Sequence, residues 1–220
     1  IPFKKTIIRY LDGLSPEAKT LGAVNTVKNQ NGKLIGFNTD GDGFFETLVD
    51  NEIDITDKNV LLLGAGGAAY AIAITLSKKG IGSIHIANRT REKAISLEKE
   101  IKKVNPNFIT ATGDLKLDNI NKKAIDIIIN ATSIGMYPME NLSPIELNGF
   151  KENIVVYDIV YKPRESKLIK DAKSRGYKTI NGISMLLKQA ILSQKVWFDF
   201  DETSFEKIKK IEGILQTYVE

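Results

Sequence analysis

The chain has 220 residues, 42% hydrophobic and 26% charged, which supplies apolar material for a buried core and excludes a disordered chain. It has no cysteine and one histidine, His85, so disulfides, thiolate metal sites, cysteine nucleophiles and a histidine-rich metal centre are excluded, and proton chemistry falls to Lys, Asp, Glu or Tyr. The charge of +4 comes from 31 bases interleaved with 27 acids, which describes solvated faces or one local anion pocket, with no nucleic-acid or membrane partner expected. The longest uncharged stretch, residues 59–77, is interrupted by Gly64, Gly66 and Gly67 and is no membrane span. The lack of cysteine is compatible with a reducing compartment, and a cytoplasmic protein is expected.

Taken in chain order, residues 6–11 and 15–21 predict short helices, the second opened by Ser15 as cap and Pro16 in its first turn. Residues 25–28 and 33–37 flank Asn29-Gln30-Asn31-Gly32 and predict a hairpin with an Asn-Gly turn. Residues 42–49 predict a helix. After a polar connection near 52–58 the rhythm becomes strand, helix, strand, helix, which predicts a parallel doubly wound sheet. Its elements are a fully apolar strand at 59–63, a helix at 66–78, a strand at 83–87, a helix at 90–103 and a third strand at 108–112. Strands at 125–130 and 154–159 follow, then a helix at 166–175 ended by Gly176, a short strand at 178–180, and helices at 183–198 and 204–218.

The motif Gly64-Ala65-Gly66-Gly67-Ala68-Ala69 satisfies G-x-G-x-x-G/A between a strand and the helix that follows it. The first glycine permits a tight turn, the second a close approach to a pyrophosphate, and the helix N-terminus offers unpaired N–H groups to phosphate. At the tip of the second strand, where an NAD site carries an acid for the ribose hydroxyl, the chain has Asn88, Arg89, Thr90 and Arg91. Guanidinium groups match phosphate oxygens bidentately, so this loop points to a 2′-phosphate and hence to NADP. A nicotinamide cofactor implies hydride transfer and a proton donor for the developing alkoxide. His85 lies inside a strand and reads as structural; Trp197 reads as core. Lys4 and Asp40 are, by spacing alone, no more than surface charges.

Eight segments together resemble one family: Ile1-Pro-Phe-Lys4, Gly22-Ala-Val-Asn-Thr26, Asn38-Thr-Asp40, Gly64-Ala-Gly-Gly-Ala68, Asn88-Arg-Thr90, Asn130-Ala-Thr-Ser-Ile-Gly-Met136, Tyr157-Asp-x-x-Tyr161 and Met185-Leu-x-x-Gln-Ala190. In that order, over most of the chain, they are similar to shikimate dehydrogenase. The resemblance implies NADPH-dependent reduction of 3-dehydroshikimate to shikimate in aromatic amino acid biosynthesis, in a cleft between two α/β domains. It makes Lys4 and Asp40 the catalytic pair and Asn25, Tyr161 and Gln189 substrate ligands. It sets Gly64, Gly66, Gly67, Ala68, Asn88, Arg89, Thr90, Arg91, Thr132, Gly182 and Met185 against the cofactor, with no metal.

The expected fold is therefore α/β: a Rossmann-like doubly wound parallel sheet for NADP over 53–182, plus a truncated N-terminal substrate domain over 1–52 against which helices of 183–220 pack. In the family a strand-rich segment with two substrate-binding hydroxyl residues precedes Ile-Pro-Phe-Lys, and this chain begins at that motif. Lys162, Ser166 and Ser184 stand where the family often has Asn, Thr and Gly, differences that bear on substrate preference. Three alternatives remain open: a quinate/shikimate dehydrogenase that uses NAD, a nucleotide-binding regulatory module without catalysis, and a piece of a fused multi-activity polypeptide. A monomer and a dimer are both compatible with the sequence.

Overall fold

The computed structural model describes residues 3–198 together with 210, 211, 213, 214 and 217. The helix expected at 204–218 and the first two residues of the Ile-Pro-Phe-Lys motif thus lie largely or wholly outside the described residues.

The N-terminal part is built on a three-stranded sheet. A 3-10 turn at Thr6–Tyr10 replaces the expected first helix, and the chain then enters a two-residue strand, β1 (Gly13–Leu14), absent from the sequence reading. Helix α1 (Pro16–Leu21) is capped by Ser15, whose hydroxyl accepts from the Ala18 N–H at 3.2 Å. Strands β2 (Thr26–Gln30) and β3 (Lys33–Phe37) form the hairpin. Its turn is the two residues Asn31 and Gly32, both with positive φ (53° and 88°), as a type I′ turn requires. The sheet order is β1-β3-β2, with β1 parallel and β2 antiparallel to β3.

Helix α2 (Asp40–Asp50) begins two residues earlier than expected. Its Gly41 and Gly43 suggest turn formation in sequence; in the structure they permit close helix packing. A Cβ at Gly41 would lie 2.1 Å from Thr75 Oγ1 of the helix α3 (Gly67–Lys78), and one at Gly43 would lie 2.8 Å from the Gln189 nitrogen of α6 (Gly182–Phe198). The first turn of α2 is thereby wedged between two helices.

The C-terminal part is a six-stranded parallel sheet of β4 (Asn59–Leu63), β5 (Ser83–Ala87), β6 (Ile109–Gly113), β7 (Ile127–Asn130), β8 (Val155–Asp158) and β9 (Lys178–Ile180), in the order β6-β5-β4-β7-β8-β9. This is the doubly wound order, with its switch point between β4 and β7. Helices α3 and α4 (Arg91–Val104) cover one face and α5 (Lys167–Ser174) the other. Alternate residues of β4 enter the two layers: Val60 and Leu62 join Ile72, Ile84 and Ile86, while Leu61 and Leu63 join Ile128, Val156 and Leu168. The first of these layers also takes in Leu21, Phe44 and Leu48, so α1 and α2 share one core with the larger sheet. Phe44 of α2 stacks on Tyr157 of β8 with centroids 4.6 Å apart. No helix among the described residues is long and apolar enough to cross a membrane.

Two tests follow from this packing. A Cβ on Gly182 would lie 2.1 Å from the Ile159 carbonyl oxygen, a backbone atom with nowhere to move. Gly182→Ala is expected to destabilise the chain by about 3 kcal/mol or more, well beyond the ~1 kcal/mol that alanine gains in helix propensity; urea unfolding measures it.

Asp158, at the end of β8, is fully buried, and burial pushes its carboxyl up from the ordinary 3.8 to about 6, against hydrogen bonds from Ser166, Val160 and Asn130 that favour ionisation. Because the folded value lies above the unfolded one, the stability this group contributes is fully present below about pH 4 and lost as pH rises through about 6, a change of about 3 kcal/mol. Asp158→Asn, which keeps an acceptor oxygen and removes the charge, is expected to gain stability relative to wild type at pH 7 and to lose most of that gain by pH 4.5. Urea midpoints at the two pH values check it; an equal difference at both would refute it.

Candidate active site

Two sets of functional groups lie in the chain, one at the sheet's switch point and one at the start of α2. At the first, Gly64 has φ 106°, and a Cβ there would lie 2.9 Å from the Ala131 carbonyl, so only glycine lets the loop after β4 pass the loop after β7. Gly66 and Gly67 are exposed, with open space where their side chains would be, and the first turn of α3 has no side-chain cap. Its amides and the positive end of its dipole thus face an unfilled surface, a cradle that suits a pyrophosphate. Ala68 is half-buried beside them and Ala69 is fully buried against the sheet.

The loop after β5 lies next to this cradle, since β5 pairs with β4 in register and the Gly64 N–H donates to the Ala87 carbonyl at 2.8 Å. The Asn88 amide donates to the Thr90 carbonyl at 2.7 Å, shaping the loop from within. Arg89, Thr90 and Arg91 are all exposed, and Thr90 holds the N-cap position of α4 without a capping bond from its hydroxyl. Two guanidinium groups and a hydroxyl at a helix start fit a phosphate monoester, and the residues present therefore suit NADP.

Thr132 sits on the loop after β7, across the switch point. Its N–H and hydroxyl both donate to Asn130 Oδ1, at 3.0 and 2.7 Å, and its hydroxyl accepts from the Ile134 N–H at 3.1 Å. Asn130 Nδ2 donates to Asp158 Oδ1 at 2.9 Å and to the Ile134 carbonyl at 3.1 Å.

The second set gathers around Asp40, which is buried at the first position of α2. The Lys4 ammonium donates to Asp40 Oδ2, and Asn25 Nδ2 donates to Oδ1 at 2.9 Å. Asn25 is fixed in turn, since its Oδ1 accepts from the Thr39 N–H at 3.1 Å and from the Thr26 hydroxyl at 2.9 Å. Lys4 is about one-third exposed, so its ammonium is tied to the carboxylate yet open to solvent. The Gln189 backbone presses on Gly43, and its carbonyl accepts from the Thr39 and Ser193 hydroxyls at 3.0 and 2.8 Å.

Lys4, Asn25 and Asp40 are thus in direct contact, with Gln189 one helix turn away. Tyr161 is exposed (39%) on the turn after β8. Gly182 lies against Ile159, and Met185 is buried in the main core. His85 is half-buried within β5, and burial lowers its pKa. Trp197 departs from expectation: it is 46% exposed, and its indole N–H donates to the Val27 carbonyl at 2.9 Å, tying α6 to the outer strand β2. The sequence reading also missed Thr39, Ser193 and Asp158. A signal existed for Ser193, four positions after Gln189 and hence on the same helix face.

Comparison with known proteins finds matches to both parts of the chain. The family model for shikimate / quinate 5-dehydrogenase matches residues 47–165, and that for the shikimate dehydrogenase substrate binding domain matches residues 1–27. A shikimate dehydrogenase (NADP(+)) from Alkaliphilus oremlandii is 43% identical over 200 residues, covering 90% of this chain and 70% of the relative. Among solved structures, a shikimate dehydrogenase in complex with NADP+ superimposes with a TM-score of 0.90 at 39% identity, over 100% of this chain and 75% of that one. The Listeria monocytogenes shikimate 5-dehydrogenase in complex with shikimate and NAD gives 0.85 at 35% identity, over 96% and 75%. With its sheet order, its glycine loop and both of its parts matched, the chain belongs to the shikimate dehydrogenase family.

Proposed function

We propose that the chain is an NADP-dependent shikimate dehydrogenase, interconverting 3-dehydroshikimate and shikimate in aromatic amino acid biosynthesis in the cytoplasm. The observation that carries this reading is the cluster of Lys4, Asn25 and Asp40, drawn from three separate segments onto one buried carboxylate, in a chain that also has a glycine cradle suited to a dinucleotide. We assign residues 1–52 to the substrate side, with α6 returning to it, and residues 53–182 to the cofactor side.

NADP, when bound, supplies the hydride acceptor or donor. The amides at Gly66 to Ala68 would hold its pyrophosphate and Arg89, Thr90 and Arg91 its 2′-phosphate, with Thr132, Gly182 and Met185 as the remaining cofactor-side residues. Asp40 orients the Lys4 ammonium through their hydrogen bond. In the reducing direction Lys4 donates a proton to the oxygen of the substrate carbonyl as hydride reaches its carbon; in the oxidising direction neutral Lys4 takes the hydroxyl proton. Asn25, Tyr161 and Gln189 are the ligands to the substrate hydroxyls. An amide suits that task because it both donates and accepts.

The assay is shikimate-dependent reduction of NADP+ by the protein. Lys4→Ala is expected to lower kcat by roughly 100-fold or more, the scale of a removed acid–base group; a variant that keeps the wild-type rate removes Lys4 from this role. Replacing Arg89 and Arg91 together by Ala is expected to weaken NADP+ binding by about 10- to 100-fold through lost charge-assisted hydrogen bonds while leaving NAD+ binding nearly unchanged. Titration of both cofactors decides this, and equal or better turnover with NAD+ by the wild type would overturn the NADP assignment.

A further inference from the structure

The fully buried carboxylate of Asp158 is absent from the roles assigned above, yet it joins three segments that surround the switch point. Its Oδ1 accepts from Asn130 Nδ2 at 2.9 Å and from the Val160 N–H at 3.0 Å, and its Oδ2 accepts from the Ser166 hydroxyl. Asn130 carries the loop 131–136 on its own Oδ1, through both hydrogen-bonding groups of Thr132. Val160 is the residue before Tyr161, and Ser166 caps α5 by accepting from the Ile169 N–H. The Gly182 N–H adds a bond to the Val160 carbonyl at 3.1 Å, bringing the start of α6 onto the same turn.

Burial of this carboxylate lowers stability at neutral pH, so what it contributes to the structure is geometry. An apolar residue would leave Asn130, Val160 and Ser166 with unanswered donors and would leave the two loops without a common anchor.

We propose that Asp158 is a positioning residue for hydride transfer: through Asn130 it sets the cofactor loop 131–136, and through Val160 it sets the turn bearing Tyr161, so that cofactor and substrate are held at a fixed separation. This rests on the dehydrogenase reading, and it adds a group that touches neither reactant. The acting atom is Oδ1, which both loops share.

The test compares Asp158→Ala, which removes the anchor, with Asp158→Asn, whose amide oxygen can serve both donors. Steady-state oxidation of shikimate by NADP+, thermal midpoints, and amide hydrogen exchange of residues 131–136 and 159–161 are measured on the full chain. Asp158→Ala is expected to lower kcat about 10- to 100-fold, with KM for NADP+ changing less than about threefold, because a misplacement near 1 Å costs on that scale. Asp158→Asn is expected to recover kcat to within about fivefold of wild type, and exchange is expected to quicken in both segments with Ala and to return toward wild type with Asn. A kcat for Asp158→Ala within about twofold of wild type, or losses in kcat that track the thermal midpoint across both variants, would overturn the proposal.

If Asp158→Ala does not fold, Asn130→Asp takes its place: it keeps the acceptor for Thr132 and sets a second carboxylate against Asp158. The same fall in kcat is then expected, with faster exchange confined to 131–136; an unchanged kcat overturns the proposal. If the wild type fails to oxidise shikimate, the activity assignment fails, and exchange alone decides the anchor. Faster exchange in both segments of Asp158→Ala supports it, and in only one refutes it.

Discussion

A carboxylate taken out of water has to be answered by donors on both oxygens, and in this chain that demand is met at Asp40 from two directions. Lys4 comes from the N-terminal segment and Asn25 from the entry to β2, while the Asp40 backbone is fixed by its own N–H, which donates to Asn38 Oδ1 at 3.0 Å. Each of these residues is itself anchored: the Val24 N–H donates to the Lys4 carbonyl at 2.8 Å, the Asn25 N–H to the Phe37 carbonyl at 3.0 Å, and Asn38 Nδ2 to the Ala23 carbonyl at 3.0 Å. The small sheet is in effect a frame around one ionised group. Moving any of these segments would leave a buried charge without a partner, which is far more costly than a lost surface contact.

The frame is held against the larger sheet by shape more than by charge. Gly41 and Gly43 let α2 sink between α3 and α6, and Lys188 of α6, mostly buried, reaches Asp50 at 2.7 Å near the other end of α2. Thr39, Thr26 and Ser193 then close the gap between α2, β2 and α6 with hydroxyl contacts, Thr26 to Ser193 at 2.7 Å. The substrate side and the cofactor side are therefore continuous in packing although each has its own sheet.

Local patterns carried most of the fold. The apolar run of β4, the Ser15 cap and the Asn31-Gly32 turn each have a short-range physical cause, and each stands where the pattern puts it, to within a residue or two. Strand β1 was not legible because two residues have no period; it exists only through pairing with β3. The roles of Gly41 and Gly43 were not legible because a close helix contact and a turn ask for the same residue. In the site, the glycine loop could be read from its context between strand and helix. Lys4 and Asp40, 36 positions apart, could not be paired by spacing, and it was the resemblance that joined them. Asp158 looked like the end of a strand because its significance lies in what faces it from elsewhere in the chain.

The ring stack of Phe44 on Tyr157 has a bearing on how such proteins can be recombined. The polar connection between α2 and β4 looks like a natural seam for exchanging cofactor modules among relatives, but a graft made there parts two fully buried aromatic rings that belong to opposite sides of the cut. A chimera has to carry the pair as one inherited unit, or supply a new ring of matching size from the incoming partner.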